Sequence, residues 1–303
     1  MLVSSFFMPI KVYIAILFFN KVAFRKEGKM SKCQTIAILN QKGGVGKTTT
    51  TLSMGVALSK LNKKVLLIDT DPQGHLTICM GYYEQQNMKT IADLIYNCIN
   101  NKTINVDETI LHHKENVDLI PSNLDLSAME LPLFSAMNRE YVLKTCLKDI
   151  KDRYDYILID CQPSLGMIPI NALAVADKVI IPVQAHYLAA NSMGNLMEII
   201  SKVSNQINSD LKIGGILLTM VDGRTNLSKE IQKEIINSYG RYMKIYDTKI
   251  PSAVKVAEAT ASGQSIFSYD KNGKVAEAYY QFAKEVEMDA RKERKKNAPT
   301  HDR

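Results

Sequence analysis

Residues Asn40–Thr50 read "NQKGGVGKTTT", with Gly43, Gly44 and Gly46 set between two lysines, Lys42 and Lys47. The apolar, β-branched run "TIAIL" before it reads as a strand, and the segment from Thr48 to Lys60 after it reads as a helix. A glycine-rich turn between a strand and a helix lets successive N–H groups turn inward around phosphate oxygens. The start of the helix adds unpaired donors and the positive end of its dipole. In such a loop Lys47 reaches the β- and γ-phosphates of a nucleotide and the Thr48 hydroxyl ligates Mg²⁺. One lysine suffices for that chemistry, so Lys42 needs a separate explanation.

Working outward, short β-branched runs alternate with longer amphipathic segments, the pattern of a mostly parallel sheet flanked by helices. The strand candidates are "QTIAILN", "KVLLIDT", "NVDLIPS", "YDYILIDC", "KVIIPVQ", "IGGILLTMV" and "MKIYDTKI". Helices are expected over Thr48–Lys60, Arg139–Lys151, Leu188–Ser204, Leu227–Ser238 and Val275–Lys295. The fold class is α/β: a single doubly wound sheet with helices on both faces. Three acids, Asp69, Asp71 and Asp160, stand at or just beyond strand ends, where a parallel sheet opens its ligand crevice. A strand-ending Asp also serves as a helix cap. Three of them beside a phosphate loop favour metal and water chemistry.

The chain has 303 residues, 46% hydrophobic and 23% charged, with 15 Gly and 9 Pro, which excludes collagen-like and disordered classes. Its net charge of +7 favours a polyanionic partner, nucleic acid or an anionic membrane face. The last thirteen residues, "RKERKKNAPTHDR", hold six Lys or Arg against two acids, or +4 of that charge. The five cysteines form no C-x-x-C pair, and the adjacent His112 and His113 would face opposite ways. A disulfide framework and a zinc site are therefore not expected.

Residues 1–29 are apolar enough to suggest a signal peptide or an anchor. Lys11 interrupts the run, however, and the positive charges follow it where a signal peptide has them first. Lys26, Glu27 and Gly28 can be encoded by AAGGAGG, a ribosome-binding sequence ahead of Met30. The expectation is a translated leader or disordered extension over 1–29, a single nucleotide-binding domain over 30–290, and a basic, disordered tail over 291–303.

The loop K-G-G-V-G-K-T, Lys42–Thr48, lacks the first glycine of the general phosphate-loop pattern and resembles the deviant Walker A motif of the ParA/MinD ATPases. "LLIDTDPQGHLT", "YDYILIDCQPSLG", "LLTMVDGRTNLS" and "KIPSAVKVAEA" resemble later ParA/Soj segments, so the similarity runs from Ser31 to about Ala290. The resemblance implies that Lys42 crosses a dimer interface to the partner's nucleotide, as an arginine finger does elsewhere, where the contribution is about 10³–10⁵ in rate. It implies that Asp71 orients the attacking water and that Asp69 and Asp160 hold Mg²⁺ through waters, beside its ligand Thr48. The same match sets Gly43, Gly44, Val45, Gly46, Lys47, Thr48 and Thr49 around ATP, with Pro251 bordering the adenine. Further implied are an ATP-bound homodimer, nonspecific double-stranded DNA, a ParB/Spo0J-type centromere-binding partner, and a place in the cytoplasm on the nucleoid. Arg224, Arg241 and Lys255 are the candidate DNA contacts, although Ser252 stands where relatives often carry an arginine.

Rival readings lack their residues. A MinD-like positioning ATPase, the main alternative, needs a C-terminal amphipathic anchor, whereas "YYQFAKEVEMDARKERKKN" ends in charge and reads as a helix packed on the domain, so no stable membrane anchor is expected. A nitrogenase-type reductase needs paired cysteines, and Cys161 has no evident mate.

Overall fold

The computed structural model describes residues 33–83, 87–185 and 189–296. The leader expected over 1–29 and the native start at Met30 lie outside the described residues, as do positions 297–303. In chain order the strands are β1 (Gln34–Ile38), β2 (Val65–Thr70), β3 (Leu111–His113), β4 (Val117–Ile120), β5 (Tyr156–Cys161), β6 (Lys178–Gln184), β7 (Lys212–Val221) and β8 (Ile245–Pro251). The helices are α1 (Lys47–Lys60), α2 (His75–Cys79), α3 (Ile91–Ile99), α4 (Asp125–Ala128), α5 (Glu130–Ser135) and α6 (Val142–Leu147), followed by α7 (Met167–Val175), α8 (Ala189–Gln206), α9 (Asn226–Tyr239), α10 (Val254–Ala261), α11 (Ile266–Tyr269) and α12 (Lys274–Lys296).

The eight strands form one sheet in the order β3-β4-β2-β5-β1-β6-β7-β8, parallel throughout except for the β3–β4 pair. Strand residues alternate between two cores, as a period of two requires. Ile36, Ile38, Leu67, Tyr156, Leu158 and Leu217 join α1, α2, α10, α11 and α12 on one face. Ala37, Leu66, Ile68, Ile157, Ile159 and Ile216 join α3 to α9 on the other. Cys161 lies in this second core, consistent with a packing role. The chain leaves β1 toward β2 and leaves β5 toward β6, in opposite directions, and the strand ends there open a crevice.

All seven expected strands are present. The eighth, β3, is a three-residue edge too short to leave a pattern, and its His112 side chain is exposed while the His113 side chain is turned inward. The helix expected over Arg139–Lys151 is broken into two 3₁₀ turns around α6. The first break is set by Asn171 on α7, whose side chain accepts from the Leu143 N–H at 3.0 Å and donates to the Arg139 carbonyl at 2.7 Å. A buried amide thus replaces backbone partners there.

The C-terminal helix passes the domain boundary expected at residue 290 and runs to Lys296. Val275, Tyr279, Phe282, Val286 and Ala290 form its buried stripe. Tyr279 Oη lies 3.2 Å from Thr50 Oγ1 on α1, and Phe282 meets Tyr246 edge to face at 4.8 Å. α1 in turn lies so close on β2 that a Cβ at Gly55 would sit 2.5 Å from the Leu67 side chain. No helix among the described residues is long and apolar enough to cross a membrane.

Glu287 anchors the far end of α12. It accepts from Lys63 at 2.7 Å, from Arg291 at 2.8 Å and from the Tyr156 hydroxyl. Burial alone would raise its carboxyl, but these three donors outweigh burial and hold its pKa down to about 2. A carboxyl depressed on folding stabilises the fold fully above its unfolded pKa, and that contribution is lost as pH falls through the folded value. Glu287→Gln is therefore expected to cost about 1–3 kcal/mol at pH 7, measured by urea unfolding, since hydrogen bonds to a charged group are lost. The gap from wild type should shrink as pH drops from about 4.5 toward 2. A constant gap across that window would show that the charge of Glu287 is not the stabilising feature.

Candidate active site

The phosphate loop is held from two neighbouring strands. Asn40 donates to the Pro182 carbonyl on β6 at 2.7 Å and accepts from the Lys42 N–H at 3.0 Å. Thr219 on β7 donates its hydroxyl to the Val45 carbonyl at 2.8 Å. Between these anchors Gly44 and Gly46 take left-handed φ values of 71° and 87°, which a side chain would strain. A Cβ on Gly43 or Gly44 would meet nothing within 4 Å, so the space they face is open. Gly46 begins α1 with no side-chain cap and no acid in the first turn. The leading N–H groups and the dipole of the helix are thereby kept for an anion.

Lys47 is buried, and its Nζ donates to the Lys42 carbonyl at 3.2 Å across the loop. Burial lowers its pKa, against the opposing pull of Asp160. Lys42 itself is half-buried, and its side chain makes no ion pair among the described residues. The two lysines are thus unequal: one is built into the loop by its ammonium, the other by its backbone.

Sheet register places Asp160 between Ile38 of β1 and Asp69 of β2. Asp160 Oδ1 accepts from the Thr51 hydroxyl at 3.3 Å, and the Thr48 side chain stands beside the carboxylate. Its Oδ2 is buried and makes no hydrogen bond. Burial first, then the neighbouring Asp69, push its pKa up to about 8. Leaving such an atom unpaired costs about 1–3 kcal/mol, and native folds retain such groups mainly where an ion or a reaction uses them. The all-oxygen pair of Thr48 and Asp160 fits the hard cation Mg²⁺.

Asp69, expected to hold the metal through waters, is also engaged by the fold. Its Oδ1 accepts from the Asp71 N–H at 3.1 Å, and its Oδ2 accepts from the N–H and hydroxyl of Thr77 at 2.9 and 2.8 Å. It caps α2 from the strand end, the alternative that a strand-ending acid always carries. Burial pushes its pKa up to about 6 despite those bonds. Asp71, one turn further out, is half-buried and accepts from the Gln73 N–H at 2.9 Å.

Two further residues bear on the site without any motif to announce them. Glu130 of α5 accepts from Gln162 at 3.2 Å and from the Met167 N–H at 2.9 Å, bracing the loop that follows Asp160. A Cβ on Gly166 would come within 2.4 Å of that carboxylate, so a side chain there would displace Glu130 from its place. Met220 holds φ at 51°, unusual for a side chain of its size, beside Gly46. Its neighbours Thr219 and Val221 bind the phosphate loop and β8 respectively.

A family described as an AAA domain matches residues 33–213. The chain is 42% identical over 251 residues to the sporulation initiation inhibitor protein Soj of Bacillus subtilis, covering 83% of this chain and 97% of Soj. The chain belongs to the ParA/Soj family of P-loop ATPases. It is 37% identical to the chromosome partitioning protein ParA of Caulobacter vibrioides, over 84% of this chain and 93% of ParA. Among solved structures, cobyrinic acid a,c-diamide synthase from Mycobacterium smegmatis with bound ADP and magnesium matches with a TM-score of 0.72 at 32% identity, covering 84% of this chain and 93% of that one. As a ParA/Soj member the chain is a partition-type ATPase.

The other residues nominated from the ParA/Soj resemblance are scattered. Pro251 ends β8 opposite Val221, on the same sheet edge as the phosphate loop. Arg224 donates to both oxygens of Asp222 at 3.0 and 3.1 Å, and Lys255 lies 3.0 Å from Asp270. Both cations remain solvent-exposed within these surface pairs. Arg241 is exposed and makes no ion pair among the described residues.

Proposed function

We propose that this chain is an ATP-driven dimer that segregates a plasmid, an integrated mobile element or a chromosome. The backbone of residues 43–49 cradles the phosphates and Lys47 meets the outer ones. Thr48 would hold Mg²⁺ directly and Asp160 and Asp69 through waters, and the ion when bound would supply charge neutralisation at the phosphates. Asp71 orients and polarises the attacking water, while Asp69 keeps the Asp71 backbone in place. Lys42 reaches the nucleotide of a second copy, and Pro251 borders the adenine. The ATP-bound dimer holds double-stranded DNA without sequence preference on the nucleoid in the cytoplasm. A ParB/Spo0J-type centromere-binding protein stimulates hydrolysis and release.

The inequality of the two lysines carries this reading: Lys47 alone serves the loop's own nucleotide, which leaves the Lys42 side chain for another. Further support comes from an apolar ridge of Leu124, Leu131, Phe134 and Met137, 62–92% exposed. The ridge flanks Glu130, whose carboxylate braces the loop after Asp160, and such a patch suits a protein partner beside the site. Light scattering in saturating Mg-ATP or Mg-ADP tests the proposal. The expected result is a doubled mass with ATP only, accompanied by DNA retention that falls steeply with salt. A monomer under ATP, with DNA and a stimulating partner present, would overturn it.

A further inference from the structure

Asp160 is followed by "CQPSLG", residues 161–166, which carry the chain from β5 to the first turn of α7. Pro163 has no N–H to give, and Pro163 and Ser164 are exposed, so this stretch has few means of its own to stay in one place. α7 also lacks a cap from its own sequence. Gly166 precedes it with no side-chain cap, and its first turn holds no acid. The leading N–H groups of α7 are therefore left to an outside partner.

That partner is Glu130 of α5. One of its oxygens accepts from Gln162 Nε2 at 3.2 Å, and the other accepts from the Met167 N–H at 2.9 Å. Both hydrogen bonds that tie residues 162–167 to a separate element, among the described residues, end on this one carboxylate. Gln162 is itself buried, so its amide is held by Glu130 and not by solvent. Gly166 completes the contact. Its φ of −82° suits any residue, but a Cβ there would overlap the Glu130 carboxylate. The loop after Asp160 keeps its place only while that carboxylate has room.

We propose that Glu130 is a positioning residue for ATP hydrolysis, which fixes the segment after Asp160 and thereby the aim of the Asp160 carboxylate into the crevice. The inference rests on the placing of Asp160 at the metal made above, and it adds a residue that acts from another helix through two hydrogen bonds. Its role is geometric. A displacement of about 1 Å in a reacting group costs about 10²-fold in rate. Binding of ATP runs through residues 43–49 and Lys47, none of which Glu130 contacts, so affinity should be spared.

Glu130→Ala should lower kcat by about 10²-fold with little change in KM for ATP. Glu130→Gln keeps an acceptor for Met167, and a flipped Gln162 amide can accept from its nitrogen, so most of the turnover should return. In nucleotide-free protein, amide exchange at Met167 should quicken by about ten- to a hundredfold in Glu130→Ala, as for one lost hydrogen bond to a charged group. Gly166→Ala separates this role from general loosening. Alone it should slow turnover as Glu130→Ala does, because it displaces the carboxylate; added to Glu130→Ala it should cost nothing more. Slowing that multiplies in the double variant would overturn the proposal, as would wild-type kcat in Glu130→Ala or a Glu130→Gln enzyme as slow as the alanine one. Asp160→Asn tells the two readings apart. If it turns over normally, the metal reading falls and the proposal with it; if it is slow while Glu130→Ala is not, only the role of Glu130 falls.

Discussion

Lys42→Ala is expected to lower ATP turnover by about 10³- to 10⁵-fold, the contribution of a cation that completes a phosphoryl-transfer site from outside. Nucleotide binding to the same chain should persist. The loop uses only the backbone of Lys42, through its N–H to Asn40 and its carbonyl to Lys47, and alanine keeps both. A mixing experiment separates action across the interface from action within one chain. In a mixed dimer with Asp71→Ala, the Lys42→Ala subunit keeps its own Asp71 and receives Lys42 from its mate. Equal mixtures should regain roughly a quarter of wild-type turnover, because half the randomly formed dimers hold one competent site of two. No recovery on mixing, with dimers shown to exchange, would place Lys42 in the site of its own chain.

The second large effect is at Asp71. Asp71→Ala should slow hydrolysis by about 10²- to 10⁴-fold, the range for loss of a group that positions or accepts a proton. ATP should remain bound, giving a dimer that stays on DNA. Asp71 also accepts from the Gln73 N–H, so alanine loosens a turn as well as removing a carboxylate. Asp71→Asn keeps an acceptor for that turn and removes only the charge. If asparagine restores turnover, the carboxylate is a turn former; if it is as slow as alanine, the charge acts on the water. Single-turnover hydrolysis with separately measured ATP retention reads both quantities.

The fold and the phosphate loop were open to reading because their instructions are local. A strand announces itself by β-branched residues, and three glycines with a lysine and a threonine specify a loop whose conformation depends on those residues alone. The family assignment followed from the same contiguous segments. Asp69 and Asp160, by contrast, look alike in sequence, each ending a buried strand. What separates them is Thr77, which folds back onto Asp69 and leaves Asp160 with an unpartnered oxygen. Lys255 likewise carries no mark in its own segment of pairing with Asp270 in the folded chain.

Composition and local pattern alone establish a parallel α/β domain, a nucleotide loop with one lysine to spare, and an excess of cations near the C-terminus. Packing decides the rest: which acid is left for a metal, and that Thr219 and Glu130 brace the site. Local conformation depends on neighbours a few residues away. The partner of a buried polar group depends on which strands and helices the crossovers set side by side, as for Thr219 and Val45, 174 residues apart.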